Sequence, residues 1–332
     1  MEKTANHSTK QPTISVIIPA YNSKKTIEKC LKSVVDALPE SKEIIVIDDG
    51  STDNTSEIAS QFPVRLIRLA KRSGQATAKN MGFELSTGEI VAFIDSDTIL
   101  DKDVFVELAS ALSRDEVGGV GGLVLPIKSN LISLSFMVRL FGYSPVNEKK
   151  IIEIDSTPGG CSAYHRKVLM EIGVFDTNLK QGEELDMNIR VRKAGYKLFI
   201  VPSAKVYHDH PTTLQRLARK WFFYGVWYFY VCRKHSLNKA IIQIFGWVSS
   251  CFLLLLTLLL SRELLFLPLL AFAFWVPWAL YYGKLTLMYW VRMKKVKYLA
   301  LPLIHQTMIL CRTLGFICAI FMRKNSRESH HH

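Results

Sequence analysis

Apolar, β-branched runs alternate with helical periodicities through the first hundred residues, and this alternation restricts the fold more than any other feature of the chain. In order, the patterns predict a strand at 13–19, a helix at 24–38, a strand at 43–47, a helix that follows a cap at 51–53 and runs to 62, a strand at 64–69, a helix at 76–85 and a strand at 90–94. Such alternation predicts an α/β fold with a mainly parallel sheet and helices on both faces.

Three of the predicted strands end in polar clusters. The clusters are Pro19-Ala20-Tyr21-Asn22, Asp48-Asp49-Gly50 and Asp95-Ser96-Asp97. In open parallel sheets, ligands bind outside the carboxyl ends of the strands, so the three clusters should converge on one edge. Two carboxylates spaced one residue apart suit Mg²⁺ or Mn²⁺, which takes oxygen ligands and bridges protein carboxylates to phosphates. We therefore predict a functional site with a divalent cation at this edge.

Long apolar stretches dominate the C-terminal part of the chain. Residues 240–260 and 264–282 carry almost no charge, and each has the length that a helix needs to cross ~30 Å of hydrocarbon. A third stretch, 298–322, carries His305, Gln306 and Arg312, so it either spans the bilayer or lies in its interface. The predicted organisation is a disordered N-terminus at 1–12, an α/β domain at 13–211, an amphipathic interfacial helix at 212–238, a membrane domain of two or three transmembrane helices at 239–325, and a tail with a tag remnant at 326–332.

The charge distribution predicts an integral membrane protein whose α/β domain is cytoplasmic. Residues 1–10 are polar and lack the apolar core of a signal peptide. Basic residues flank the pair of apolar stretches, whereas the link at 261–263 has almost no excess charge, in agreement with the positive-inside rule. The net charge of +13 is concentrated beside these stretches, so anionic lipid explains it better than nucleic acid. The six cysteines show no metal spacing and fit reduced, cytosolic thiols.

Ordered motifs along the α/β domain resemble those of glycosyltransferase family 2, an inverting family with the GT-A nucleotide-sugar fold. The resemblance covers about 13–225. Its motifs are IIPAYN at 17–22, IDDGSTDNT at 47–55, SGQATAKNMG at 73–82, IDSD at 94–97, TPGGCSAYHRKVL at 157–169, GVFD at 173–176 and GEELDMNIRVRKAGY at 182–196.

The resemblance implies a role for each matching position. It implies that the nucleotide, its ribose or its phosphates are contacted by Pro19, Ala20, Tyr21, Asn22, Asp48, Lys79, Asn80, Asp95 and Ser96, with Asp48 bonded to the base. Asp97 would bind the metal directly, Asp95 would contact the ribose or the metal, and His208 would complete the metal shell or touch the diphosphate. A purely structural His208 is an open alternative. Gly159 and Gly160 would line the acceptor and the donor sugar, where paired glycines let the backbone approach a ligand closely.

The acceptor also needs a base, because an inverting displacement requires that the attacking hydroxyl lose its proton. Family members usually supply the base from a Glu-Asp pair that opens a helix, and here the pair is Glu183-Glu184. We expect Glu184 to be the catalytic base, with Glu183 as the alternative. The extra methylene of Glu184 must then be accommodated by a shifted helix or acceptor.

The segment 212–235 mixes basic and aromatic residues beside an apolar stretch, which favours an interfacial helix over a nucleic-acid site. Processive polysaccharide synthases of the family carry Gln-x-x-Arg-Trp near this position. Gln215, Arg219 and Trp221 have a different spacing, which favours transfer of one sugar. The apolar segment 126–145 either dips into the interface beside a lipid acceptor or forms a helix packed on the sheet.

These features predict a metal-dependent enzyme that transfers a single hexose, such as mannose or glucose, from a GDP- or UDP-hexose to a lipid or polyprenyl-linked acceptor. Polyprenyl phosphate sugar synthases and glycolipid glycosyltransferases are the nearest functional types. Two alternatives are a processive polysaccharide synthase and a nucleotide-binding scaffold without catalysis. Nucleic acid is not an expected partner, and a homo-oligomer is left open.

Overall fold

The computed structural model describes residues 12–38, 43–141, 150–237 and 301–328. The chain forms two compact units. The first comprises 1–127 and 145–209, and the second comprises 128–144 and 210–332. The first unit contains a nine-stranded sheet within the described residues, and the second consists of helices there.

The strands of the first unit follow each other closely in its N-terminal half. In chain order they are β1 (Ile14–Ala20), β2 (Glu43–Asp48), β3 (Arg65–Arg68), β4 (Ile90–Ile94), β5 (Thr98–Leu100), β6 (Val117–Pro126), β7 (Ile152–Ile154), β8 (Cys161–His165) and β9 (Lys197–His208). Their order in the sheet is β3-β2-β1-β4-β8-β6-β9-β5, and β7 also pairs with β9. Strands β1 and β4 are buried along their whole length, as expected of strands covered on both faces.

The sheet is mixed, so the prediction of a mainly parallel sheet is wrong. The pairs among β1, β2, β3 and β4 are parallel, and so is β6 with β9, but β8 runs antiparallel to both β4 and β6. The direction reverses because β8 starts where β4 ends: Cys161 lies opposite Ile94, and the Asp95 amide donates to the Gly160 carbonyl at 3.3 Å. This start brings the backbone of 159–160 to the carboxyl end of β4.

Helices cover the sheet of the first unit. They are α1 (Ile27–Ala37), α2 (Thr55–Ala59), α3 (Gln75–Leu85), α4 (Val104–Leu112), α6 (Arg166–Ile172) and α7 (Glu183–Lys193). The helix between α4 and α6 in chain order, α5 (Leu131–Phe141), belongs to the second unit. The buried face of α1 is formed by Ile27, Cys30, Leu31, Val34 and Ala37, which follow the helical period. A core between β4, β8 and α7 includes Phe93, Tyr164, Phe175 and Met187.

The second unit consists of α5, α8 (Leu214–Lys234) and α9 (Leu301–Glu328) within the described residues. Phe136 of α5, Leu217 and Trp221 of α8, and Ile304 and Met308 of α9 form its core. The segment that includes α5 therefore packs against the other helices of its own unit.

No helix in the described part of the chain is both long and apolar enough to cross a membrane. This finding contradicts the predicted integral membrane protein with a cytoplasmic domain. The third predicted span lies in α9, where polar groups interrupt the apolar sequence: His305 contacts the Ser135 carbonyl at 3.2 Å, and Arg312 lies over the Tyr228 ring at 4.9 Å. The two other predicted spans, 240–260 and 264–282, lie outside the described residues.

Helices α8 and α9 approach each other at two glycines. A Cβ atom added to Gly225 would lie 1.9 Å from the carbonyl oxygen of Arg312, and one added to Gly315 would lie 1.9 Å from that of Phe222. Any side chain at these positions would force the two backbones apart. The glycines therefore permit the close packing of α8 on α9.

We expect Gly225→Ala to lower the melting temperature. Overpacking costs about 1–3 kcal/mol, and the upper end applies because the obstructing atom belongs to the backbone. Replacing a helical glycine by alanine stabilises a helix by ~1 kcal/mol, which is less than this overpacking cost. Differential scanning calorimetry checks this, with Leu314→Ala, at a position 47% exposed on α9, as the matched control. A melting temperature equal to or above that of the wild type would contradict the close approach.

Candidate active site

Asp95, Asp97 and His208 form a cluster at the carboxyl end of β4. The Nε2 atom of His208 lies 3.2 Å from Oδ1 of Asp97 and 3.8 Å from Oδ2 of Asp95. One ligand atom from each residue lies within 4.8 Å of the other two. Two carboxylates and an imidazole at this spacing match the donor set of a divalent cation.

Sheet pairing brings these distant residues together. Asp95 and Asp97 lie in the turn between β4 and β5, and the antiparallel pairing of β5 with β9 places Thr98 opposite His208. Gln75, the first residue of α3, donates from Nε2 to Oδ1 of Asp95 at 2.9 Å. The structure therefore brings together Asp95, Asp97 and His208, the three residues predicted to bind a metal ion.

The electrostatics of His208 are consistent with a cation site. Burial alone would lower the pKa of His208, but hydrogen bonds and charges from Asp95 and Asp97 outweigh burial and raise it to about 9. The carboxylates therefore attract positive charge at this position, and a bound cation would take the place of the imidazolium proton.

Thr98 adds a polar atom that the sequence analysis did not single out. Its Oγ1 is buried and has no hydrogen-bond partner among the described residues. A Cβ atom added to Gly160 would lie 3.4 Å from this oxygen and 3.2 Å from the His208 ring. The absence of a side chain at Gly160 therefore keeps the space beside Thr98 and His208 open.

Glu183 and Glu184, in the first turn of α7, meet Lys79 of α3. The Lys79 Nζ atom lies 2.5 Å from Oε1 of Glu184 and 3.2 Å from Oε1 of Glu183. The side chain of Lys79 is 1% exposed, whereas those of Glu183 and Glu184 are 4% and 19% exposed. Lys79, which the resemblance places at the nucleotide or its phosphates, contacts both candidate bases in this structure.

The charges of this group shift its protonation. Burial, followed by the neighbouring charge of Glu184, raises the pKa of Glu183 above its usual range, although Lys79 opposes the shift. Burial alone would lower the pKa of Lys79, but Glu184 and Glu183 outweigh it and raise that pKa. Lys79 is therefore a cation, and Glu183 is the carboxyl that gains a proton more readily than an ordinary glutamate.

Gly159 and Gly160 connect the two groups of side chains. A Cβ atom added to Gly159 would lie 3.1 Å from Oε1 of Glu184, and Gly160 adjoins His208. The loop is anchored beneath by a buried network in which the hydroxyls of Tyr164 and Thr157 lie 2.6 Å apart and the Tyr164 hydroxyl donates to Asn188 Oδ1 at 2.8 Å. The glycine pair thus lies between the metal ligands and the glutamates.

The loops after β1 and β2 hold each other in place. Asn22, with a φ of 49°, donates its amide to Ser51 Oγ at 2.9 Å and accepts from the Thr52 amide at 2.9 Å. Ser96 joins the same edge, with its hydroxyl 2.8 Å from that of Ser23. Tyr21 is exposed, and the Arg72 guanidinium lies 4.3 Å from its ring centroid. Tyr21 and Asn22 are thus available to a ligand, whereas Pro19 and Ala20 are buried in β1.

Two further predicted donor contacts have other partners. The fully buried Asp48 carboxylate accepts from the Ser51 amide at 2.8 Å and from the Ser56 hydroxyl. Asn80 donates from Nδ2 to the Phe175 carbonyl at 2.8 Å and accepts from the Phe175 amide at 3.0 Å. Asp48 therefore shapes the loop after β2, and Asn80 holds the loop that contains Phe175.

The chain is similar in sequence and in fold to several known proteins. Residues 15–173 match the model described as Glycosyl transferase family 2. The glycosyltransferase AglE of Haloferax volcanii is 32% identical over 195 residues, which cover 56% of this chain and 64% of AglE. The poly-beta-1,6-N-acetyl-D-glucosamine synthase of Staphylococcus aureus is 26% identical over 212 residues, which cover 60% of this chain and 51% of the synthase. The chain therefore spans less than two thirds of either relative.

Among solved structures, the mannosyltransferase PcManGT from Pyrobaculum calidifontis, in complex with GDP-Man and Mn²⁺, aligns with a TM-score of 0.60. The alignment covers 94% of this chain and 88% of PcManGT at 19% identity, a level that shows the fold alone. The first unit is thus a GT-A-like α/β domain with a mixed sheet. Together these matches show that residues 15–173 are similar to glycosyltransferase family 2 and that the chain shares the fold of PcManGT.

Proposed function

We propose that this chain is a metal-dependent, inverting glycosyltransferase that moves a single hexose from a nucleoside diphosphate sugar to a lipid or polyprenyl-linked acceptor. The observation that carries the proposal is the position of the glycine pair 159–160. It adjoins Glu184 on one side and His208, with Asp95 and Asp97, on the other. A cation site for a diphosphate and a carboxylate for an acceptor proton are therefore close enough to serve one reaction.

Asp95, Asp97 and His208 would hold Mn²⁺ or Mg²⁺. The donor set fits because two carboxylate oxygens and one imidazole nitrogen lie within 4.8 Å of one another. When bound, such an ion neutralises the negative charge that accumulates on a departing diphosphate. Gln75, hydrogen-bonded to Oδ1 of Asp95, leaves the other oxygen of that carboxylate directed toward His208.

Glu184 would act as the general base. The acceptor oxygen bonds to the anomeric carbon from the face opposite the diphosphate, its proton passes to Glu184, and the nucleoside diphosphate leaves with the electrons of the broken bond. Glu184 is partly exposed and adjoins Gly159, whose missing side chain leaves room for an acceptor. The more deeply buried Glu183 is less able to reach one.

The donor would lie along the loops after β1, β2 and β4. Tyr21 and Asn22 are exposed at this edge, so they are suited to border the base and ribose. Asp48 would act on the base through the loop that it shapes, because its carboxylate is buried and already bonded to Ser51 and Ser56. We propose GDP- or UDP-hexose as the donor.

A lipid-linked acceptor is supported by apolar side chains exposed on the second unit. Those on α8 and α9 are Leu214, Phe223, Leu310, Leu314, Ile320, Phe321 and Met322. Such a surface suits a partner with hydrocarbon chains. Transfer of one sugar is favoured over polymer synthesis because Trp221 is buried against Phe136 in the core of this unit, besides lying at a different spacing from the synthase motif.

The direct test is release of nucleoside diphosphate from GDP-mannose, UDP-glucose and UDP-N-acetylglucosamine, measured with Mn²⁺ or Mg²⁺ and after EDTA. We expect release from one donor class and loss of release with EDTA. Undiminished release in EDTA would contradict the metal-dependent mechanism. Nucleotide binding without release from any donor, with polyprenyl phosphate or glycolipid added as acceptor, would favour the scaffold alternative.

A further inference from the structure

Lys79 is a buried cation held by two carboxylates. Its ammonium contacts Glu184 at 2.5 Å and Glu183 at 3.2 Å, and 1% of its side chain is exposed. To reach a diphosphate, the side chain would have to leave both glutamates uncompensated in a buried site, which is strongly unfavourable. The position of Lys79 therefore indicates that it acts on the glutamates and does not contact the donor.

The ring of Phe175 covers the ammonium and is itself held firmly. The Lys79 Nζ atom lies 4.9 Å from the centroid of this ring, a cation–π distance. Both sides of the Asn80 amide bond the backbone of Phe175, and Arg190 donates to the carbonyls of Ile172, Gly173 and Val174. Arg190 is anchored in turn by Asp186, 3.0 Å away in α7. Bonds from α3 and α7 thus hold the loop that carries the Phe175 ring, and this ring lies over the ammonium of Lys79.

The two glutamates differ in access to a substrate. Glu183 is almost fully buried, whereas Glu184 is partly exposed and its Oε1 lies beside the position where Gly159 lacks a side chain. The negative charge of Asp95, after β4, also acts on Lys79, and the charges of Glu184 and Lys79 in turn act on the buried hydroxyl of Tyr164, in β8. Within the described part of the chain, Lys79 is the cation that forms ion pairs with both glutamates.

We propose that Lys79 is the positioning residue that makes Glu184, and not Glu183, the general base. The inference rests on the proposed function. The ammonium holds the Glu184 carboxylate beside Gly159, while Glu183 stays behind it as a buried second partner. The Glu184 carboxylate contacts Lys79 and also lies beside the position where Gly159 lacks a side chain.

The test compares kcat and the donor KM for Lys79→Met/Glu183→Gln with those of the wild type, using the donor identified by nucleoside diphosphate release. This pair of changes removes one positive and one negative charge together, so no added net charge is buried. We expect kcat to fall about 10²-fold, the effect of a misplaced catalytic group, while the donor KM stays within about threefold.

Lys197→Met is the matched control, because its ammonium pairs with Glu153 at 3.7 Å on the surface. Circular dichroism and the melting temperature report whether each variant folds. If the double variant does not fold, Lys79→Gln/Glu183→Gln, which also removes one charge of each sign but keeps a polar group at position 79, carries the same expectation. A raised donor KM with unchanged kcat would overturn the inference and assign Lys79 to the phosphates, and unchanged values of both would overturn it as well. Absence of any release by the wild type would instead refute the proposed function.

Discussion

Asp97→Ala is expected to lower turnover of the nucleotide sugar about 10³-fold at saturating Mn²⁺, since relief of diphosphate charge by a cation is worth several kcal/mol and each 1.36 kcal/mol is a factor of ten. Asp97 supplies one of the two carboxylates near His208, with Oδ1 3.2 Å from Nε2. Its removal leaves Asp95 and His208, which is too few protein ligands to hold the ion firmly. The measurement is the rate of nucleoside diphosphate release as Mn²⁺ is increased.

The control for this prediction is Asp101→Ala, which removes an exposed carboxylate four residues further along the chain. It should keep the wild-type rate and the wild-type dependence on Mn²⁺. The loss in Asp97→Ala should not be recovered by excess Mn²⁺ if the remaining ligands cannot orient the diphosphate. Wild-type turnover in Asp97→Ala would show that the cluster of Asp95, Asp97 and His208 is not the catalytic metal site.

Glu184→Gln is expected to lower kcat by about 10²–10³-fold, within the range that a general base contributes, because the amide cannot accept the acceptor proton. The amide preserves the shape of the side chain, and Glu183 remains as the partner of Lys79. Donor affinity should therefore change little. Single-turnover kinetics and the donor Kd, measured by calorimetry, separate the two effects.

Two further variants distinguish the glutamates. Glu183→Gln should reduce kcat far less than Glu184→Gln does, because the Lys79–Glu184 contact survives it. Glu184→Asp keeps a carboxylate but withdraws it from Lys79, so an intermediate rate is expected. If Glu183→Gln were the more damaging of the two glutamine variants, Glu183 would be the base and the proposed role of Lys79 would be wrong.

Local sequence patterns predicted the elements that place the metal ligands. The strand at 90–94 has the predicted bounds, and the runs that became β1 and β2 differ from prediction by one residue at their ends. The prediction of these strands is accurate because strands buried on both faces consist of continuous runs of apolar, β-branched residues. Since parallel strands end on one edge, the proximity of Asn22, Ser51 and Ser96 followed from chain order.

The other half of the sheet could not be derived in this way. Strand β8 (Cys161–His165) pairs with β4 (Ile90–Ile94), which lies far earlier in the chain. Its antiparallel direction depends on where the loop at 159–160 returns to the sheet, which no local periodicity encodes. The burial of Lys79 was equally hidden, because a lysine on a helix is usually solvated and its partners lie more than 100 residues away. Gln75, which bonds Asp95, was not predicted as a site residue. It belongs to the same motif at 73–82 as Lys79, and that shared motif could have identified it.

The C-terminal prediction shows a limit of hydropathy. An apolar periodicity with a few polar residues describes a helix buried among other helices as well as one surrounded by lipid. In α9 the polar residues have protein partners, as the contact between His305 and the Ser135 carbonyl shows, and the glycine contacts at 225 and 315 bring α8 against α9. Such packing depends on the shapes of the two helix surfaces, and hydropathy averaged over a window of residues carries no information on shape.

Calorimetric titration of GDP and UDP into the wild-type protein, with Mn²⁺ and with EDTA, tests whether a metal ion holds the donor diphosphate. We expect one of the two nucleotides to bind in Mn²⁺ and EDTA to weaken its binding at least tenfold, which corresponds to about 1.4 kcal/mol. Binding of equal affinity in Mn²⁺ and EDTA, or no binding of either nucleotide, would contradict a metal-held diphosphate at Asp95, Asp97 and His208.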